Sequence, residues 1–201
     1  MWLSYFQATF DYTVFGLERS ALGCRNALRN IQGSTERATV VQGDLFHSPW
    51  RSETFQVVFS MGLLEHFVRP EAAVAAHSDI LDRGGTMAVV VPNLQGVDGW
   101  LLRRTNPRVF RMHRLVSPAA LEGWAGAVGM EVSFAGHAGG LGLFLSMIRH
   151  PAMPRPIHAG LRRVWHGLHG LAWMALDRRE RWPDSAAWSP FVVCIARKGG
   201  P

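Results

Sequence analysis

The chain opens on apolar residues at helical spacing. Trp2, Leu3, Phe6 and Phe10 share one face of a predicted helix that Asp11 and Tyr12 break. Tyr12-Thr13-Val14-Phe15-Gly16-Leu17 reads as a short strand ending in an acid, Glu18. Ser20 is placed to cap a helix through Asn30, before a loop around Gly33. Thr39-Val40-Val41-Gln42 is a second strand, ending in Gly43-Asp44. Phe55 to Ser60 is a third and Thr86 to Val91 a fourth. Between these last two, Ala72, Ala73, Ala76, Ile80 and Leu81 mark one side of a helix that Arg83-Gly84-Gly85 closes. Strands alternating with helices predict βαβ units and a parallel sheet.

The second half is less regular. Ser117-Pro118 opens a helix, with serine as N-cap and proline in the first turn. It ends near Gly129, and Met130 to Gly136 follows as a strand. Residues 137–156 read as a loop or irregular strand. Ile157, Leu161, Val164, Trp165, Leu168, Leu171, Ala172 and Leu176 then mark one face of a long helix whose other positions carry Arg162, Arg163, His166 and His169. Phe191 to Ala196 is a last strand.

Composition changes this picture little, but charge changes it more. The 201 residues are 48% hydrophobic and 18% charged, which excludes a disordered chain. The net charge of +6 is unevenly spread: residues 1–99 carry 7 cations and 10 anions, residues 100–201 carry 14 and 5. Arg103, Arg104, Arg108, Arg111 and Arg114 begin the basic half. Scattered arginines without a reading motif argue against nucleic acid. An acidic or lipid-like small molecule, or the surface of an anionic membrane, suits them better. Packing of the 157–176 helix on the sheet is the plainer alternative. Two cysteines, Cys24 and Cys194, read as reduced and buried. With no signal peptide and no membrane span in the pattern, the expected setting is cytoplasmic.

In open α/β sheets, ligands lie outside the carboxyl ends of the strands. Glu18, Asp44 and Ser60 fall at such ends. An acid there can accept from both hydroxyls of a ribose, and a second acid from an adenine amine. Either acid can equally cap the helix that follows it. Both readings stay open on spacing alone.

The runs VFGLERSALGCRNAL, VVQGDLFHSPWRSETFQVVFSMGLLEHF and DILDRGGTMAVVVPN together resemble the class I S-adenosylmethionine-dependent methyltransferases that act on small molecules. The resemblance spans about residues 1–135. It implies a Rossmann-like α/β sheet with helices on both faces, in one domain over 1–201, with cofactor-side units over 1–95 and an acceptor-side insert, basic helix and last strands over 96–201. It implies S-adenosylmethionine as cofactor. Glu18 then holds the ribose diol, Asp44 and Leu45 contact the adenine, and Ser60, Met61 and Gly62 line the methionine end. His66 stands at the start of the helix under the substrate cavity, and Asn93 to Leu115 shape the acceptor pocket. Gln56 departs from the family's usual aspartate.

A second departure is larger. The family's first strand and its glycine-rich cofactor loop should precede the helix that begins this chain. In the family that strand is central, between the strand ending at Glu18 and the one ending at Ser60. Without it, those two strands keep unpaired edges about 9.5 Å apart, or close up and distort the site. The expectation is a marginally stable, truncated chain that binds cofactor weakly or not at all. In-frame coding sequence upstream of Met1 would separate a shortened enzyme from a remnant.

Methyl transfer from a sulfonium needs mainly alignment, and a base only when the acceptor is a poorly acidic hydroxyl or carbon acid. His66, Glu65 and His113 are the candidate bases, in that order. Their plainer role is structural: Glu65 and His66 capping the next helix, His113 at a pocket rim. His166 and His169 are three apart on one helix, but no third ligand is spaced to join them, so no metal site is expected. Besides the enzyme, two readings remain: a non-catalytic remnant serving as an interaction or peripheral membrane module, and a nicotinamide-dependent reductase, against which the GLLEHF turn and the PN strand end argue.

Overall fold

The computed structural model describes residues 2–31, 38–140 and 184–200, together with 154, 156, 157, 159–161, 163, 164 and 167. Contacts divide the chain into two compact units, Met1–Arg51 and Ser52–Pro201.

The first unit is a βαβ element preceded by a helix. Helix α1 (Trp2–Phe10) carries a run of aromatic contacts, Tyr5 to Phe6, Phe6 to Phe10 and Phe10 to Tyr12. It stops at Asp11, whose φ is 53° and whose amide donates to the Gln7 carbonyl at 3.0 Å, a left-handed cap. That cap keeps Tyr12 and Thr13 out of the strand, so β1 covers only Val14–Glu18. Ser20 caps α2 (Ala21–Ile31) as its position predicts, its hydroxyl accepting from the Gly23 amide at 2.8 Å. Strand β2 (Ala38–Gln42) pairs parallel to β1, with Glu18 opposite Gln42.

The second unit is built on a four-stranded sheet in the order β3-β4-β6-β5. Strands β3 (Phe55–Met61) and β4 (Leu81–Pro92) are parallel and joined by α3 (Pro70–Ile80). Helices α4 (Val97–Thr105), α5 (Pro107–Arg111) and α6 (Pro118–Ala127) follow, then β5 (Met130–Ala138) and β6 (Phe191–Lys198). Strand β6 enters between β4 and β5 and runs antiparallel to both, so the sheet is mixed and not parallel throughout. The alternation of strands and helices carries no information about the direction of a last strand that inserts between two others. Val89 and Val91 of β4, Val192 and Cys194 of β6, and Leu121 of α6 are buried in this unit's core. Burial, with a smaller push from the Glu122 charge, raises the Cys194 thiol to about 11, so this cysteine is inert.

Helix α3 ends one residue earlier than its periodicity predicts. Leu81 begins β4, and Gly84-Gly85 lie within that strand, not at a helix terminus. Groups distant in sequence set this boundary. The Glu53 and Thr54 amides donate to the carbonyls of Asp79 and Ile80, both at 2.9 Å. The Lys198 ammonium, from the last strand, donates to the carbonyls of Ser78 and Leu81 at 2.9 and 2.8 Å. The helix's last carbonyls are thus satisfied from outside. The glycines instead form a bulge between the Phe55–Leu81 and Val57–Thr86 pairs. Gly84 has φ +72°, and a Cβ on Gly85 would lie 2.8 Å from the Asp82 carbonyl oxygen. Helix α6 behaves as expected: the Ser117 hydroxyl accepts from the Ala120 amide, and Gly129 follows at φ +75°.

Among the described residues, β1 pairs only with β2, and β3 only with β4, so each of these two strands has one edge without a strand partner. No helix among the described residues is long and apolar enough to cross a membrane. Of the apolar face predicted over 157–176, Ile157, Leu161 and Val164 are exposed. Arg162, Trp165, His166, Leu168 and His169 lie outside the described residues, as do Leu171, Ala172 and Leu176. So do Gly33 and most of the loop read over 137–156.

One buried titratable group lies in this fold away from the candidate site. His77 of α3 is 3% exposed, and its Nδ1 is 2.6 Å from the Ala73 carbonyl oxygen, to which it donates. Desolvation pushes its pKa below the usual 6.5, against a smaller opposing pull from that carbonyl. The folded state therefore disfavours the imidazolium. The stability this group protects is present above pH 6.5 and is lost as the pH falls through its folded pKa. Urea denaturation across the acid range should show a loss of up to about 1.4 kcal/mol per pH unit from this proton. His77→Leu should flatten that slope, and an unchanged slope would assign it to other groups.

Candidate functional site

In the second unit, the chain leaves β3 through Met61, Gly62 and Leu63 into a 3-10 turn, Leu64–His66. Gly62 takes φ +68°, a conformation that side chains rarely adopt, and its amide donates to the Val90 carbonyl at 2.9 Å. The turn drives Leu64 and Glu65 inward and leaves His66 exposed. Neither Glu65 nor His66 caps α3, whose N-cap is Arg69, so the capping role and the helix-start position expected for His66 both fall.

Glu65 is 2% exposed, and its Oε2 has no hydrogen-bond partner. Burial raises its pKa above the ordinary carboxyl value; its own backbone amide and the nearby His66 and His113 pull the other way. His66 Nε2 lies 3.8 Å from Glu65 Oε1, and the His66 and His113 rings are 4.6 Å apart between centroids. One ligand-type atom from each of Glu65, His66 and His113 lies within 4.8 Å of the other two. The Arg114 amide donates to the Glu65 carbonyl at 2.7 Å, tying the segment after α5 to the 3-10 turn. His113 Nδ1, 2.7 Å from the Val109 carbonyl oxygen, is oriented by donating to it. These three residues line a cavity of about 520 Å³, with Phe67, Val68, Arg111, Met112, Arg114 and Leu115. The structure thus unites the three candidate bases at one cavity. Arg111 and Arg114 fall within the 93–115 segment that the resemblance assigns to the acceptor pocket, and both line this cavity.

Ser60 stands one residue before the end of β3. It is 7% exposed and its hydroxyl has no partner. Met61 is partly buried and Gly62 exposed. Asn93, at the end of β4, is used up structurally: its amide donates to the carbonyls of Ala186 and Ser189, both at 2.9 Å.

In the first unit, Glu18 and Asp44 stand at the carboxyl ends of β1 and β2. The Ser20 amide donates to Glu18 Oε1 at 2.8 Å, and the Phe46 amide to Asp44 Oδ1 at 2.9 Å. Neither acid caps a helix: Ser20 caps α2, no helix stands between β2 and β3, and each acid instead closes a local turn on the amide two residues ahead. A Cβ on Gly23 would lie 2.4 Å from the Glu18 carboxyl carbon, so the carboxylate rests against the start of α2 and would have to shift for a larger residue there. Leu45 is half-buried beside Asp44.

Residues 1–89 match the family model for a methyltransferase domain. No curated protein matches the chain in sequence. Among solved structures, the chain is similar to a protein described as a methyltransferase from Bacillus halodurans C-125. That similarity has 15% identity and a TM-score of 0.61, over 92% of this chain and 83% of the other. It is also similar to the [4+2]-cyclase SpnF, at 17% identity and a TM-score of 0.61, over 98% and 70%. A third is geranyl diphosphate C-methyltransferase from Streptomyces coelicolor A3(2), solved with Mg²⁺, geranyl diphosphate and S-adenosyl-L-homocysteine. It shares 12% identity with a TM-score of 0.58, over 96% and 65%. The fold is that of the Rossmann-like class I methyltransferases. The family match over residues 1–89 and this shared fold make the chain similar to methyltransferases.

The Ser60 hydroxyl fits the S-adenosylmethionine that the resemblance implies, because a buried donor without a partner can take a polar ligand group. Without ligand it is a cost of about 1–3 kcal/mol. Ser60→Ala should therefore raise the stability of the ligand-free chain by about 1 kcal/mol in urea denaturation. A marked destabilisation would show that the hydroxyl is satisfied in solution.

Proposed function

We propose that this chain methylates a small molecule held in the cavity beside Glu65, His66 and His113. The observation that carries the reading is the convergence of a buried carboxylate and two imidazoles on one 520 Å³ cavity next to the end of β3. When bound, S-adenosylmethionine supplies an activated methyl group on a sulfonium. Following the family pattern, Ser60, Met61 and Gly62 take the methionine end, Glu18 the ribose hydroxyls, and Asp44 and Leu45 the adenine. His66 accepts the acceptor's proton at Nε2, and Glu65 stabilises the imidazolium that results. Arg111 and Arg114 favour an acidic acceptor, while Phe67, Val68, Met112 and Leu115 receive its apolar part. The free thiols Cys24 and Cys194 suit a reducing cytoplasm.

A different reading draws on the exposed Ile157, Leu161 and Val164: a methyltransferase-like chain serving as an interaction or peripheral membrane module. SpnF, a cyclase by name, shows why fold alone does not decide. Sedimentation with anionic liposomes separates the two, since the enzyme reading needs no membrane. The direct test is titration calorimetry with S-adenosylmethionine, followed by transfer of a labelled methyl group into a pool of small hydroxylated and carboxylated acceptors. Glu18→Ala should weaken cofactor binding about tenfold or more, the loss of a charge-assisted pair. His66→Ala should lower turnover about 10²- to 10⁴-fold with cofactor affinity unchanged. A chain that binds cofactor but labels nothing would favour the non-catalytic reading.

A further inference from the structure

We propose that Glu65, His66 and His113 bind a divalent first-row transition-metal ion. Two imidazoles and one carboxylate are a donor set that such ions favour, and three protein ligands leave positions open for another. Among the described residues these three side chains are the group whose ligand atoms approach within 4.8 Å of one another. Glu65 Oε2, buried and without a partner, is independent of that proximity and points the same way. A carboxylate removed from water with one oxygen unsatisfied is held at a cost, and a cation is the partner that offsets it best.

The support behind the ligands also suits a metal. His113 donates through Nδ1 to the Val109 carbonyl, which directs Nε2 outward as the ligating atom, the arrangement that orients metal-bound histidines generally. The Arg114 amide holds the Glu65 carbonyl, so the two ligand segments are joined by backbone and not only by side chains. The 3.8 Å between His66 Nε2 and Glu65 Oε1 exceeds the roughly 3.0–3.4 Å spacing of ligands on ions with bonds near 2.1 Å. His66 is exposed and can close that gap by rotating its side chain. Arg111 and Arg114 are exposed as well, so solvent and salt screen their repulsion of a cation. All three ligands line the cavity, and any coordination position they leave open is reachable from it. The metal site stands without the methyl-transfer reading: with a metal bound, His66 Nε2 is a ligand and does not take the acceptor's proton.

The untagged full chain, stripped with chelator, should bind one Zn²⁺ per chain in titration calorimetry. With Co²⁺ it should develop visible absorption bands of a nitrogen- and oxygen-ligated site. His113→Ala, and His113→Gln as a variant that keeps side-chain volume, should each abolish the bands. Each should weaken Zn²⁺ binding by more than the roughly 10- to 100-fold typical of losing an outer-shell partner. His66→Ala should do the same, whereas His47→Ala should bind as the parent does. Thermal melts of the metal-free variants should match the parent's, which separates lost ligation from lost folding. Unaltered Zn²⁺ binding in the His66 and His113 variants, or no binding by the parent, would overturn the proposal. S-adenosylmethionine affinity measured on the same samples reports on the methyltransferase reading separately.

Discussion

A carboxylate taken almost wholly out of water is the constraint on which the second unit's architecture turns. Glu65 is buried by a 3-10 turn that Gly62 makes possible through its positive φ, and its pKa is raised by that burial. Nothing in β3 or α3 compensates its Oε2. The compensation available comes from His66 beside it and from His113, delivered by the segment that the Arg114 amide ties to the Glu65 carbonyl. Helices α4 and α5 thus act as a carrier that returns the chain to the strand end. A cavity forms where that return meets the turn. Buried ionisable groups converging in a cleft mark functional sites more often than structural ones.

The two acids of the first unit behave differently. Glu18 and Asp44 receive backbone amides within two residues of themselves, so each carboxylate has a local partner in the structure. A local turn bond and cofactor binding are not exclusive, because a carboxylate has two oxygens and one held in this way is already oriented. The contrast with Ser60 and Glu65 is in burial. Ser60 Oγ and Glu65 Oε2 are buried without hydrogen-bond partners, whereas Glu18 and Asp44 each accept a backbone amide.

Much of the fold was legible in the sequence because its determinants are local. The apolar spacing of α1, the Ser20 and Ser117 caps, and the β-rich runs of β1 to β6 each depend on neighbours within a few residues. What was not legible depends on contacts distant in sequence. The early end of α3 and the bulge at Gly84-Gly85 follow from the Glu53 and Thr54 amides and the Lys198 ammonium. The antiparallel insertion of β6 follows from a connection that the alternation does not encode. At the site, Glu65 and His66 were readable from the turn motif. The joining of His113 to them was not, because a backbone bond between residues 65 and 114 has no sequence periodicity.

The most direct measurement is a crystal structure of the full chain with S-adenosylhomocysteine. The amino-acid end of that product should lie against the Ser60 hydroxyl and the Gly62 turn, with the Glu65–His66–His113 cavity open beside its sulfur. Product bound away from Ser60, or a Ser60 hydroxyl that still lacks a partner in the complex, would refute the assignment of Ser60 to the cofactor.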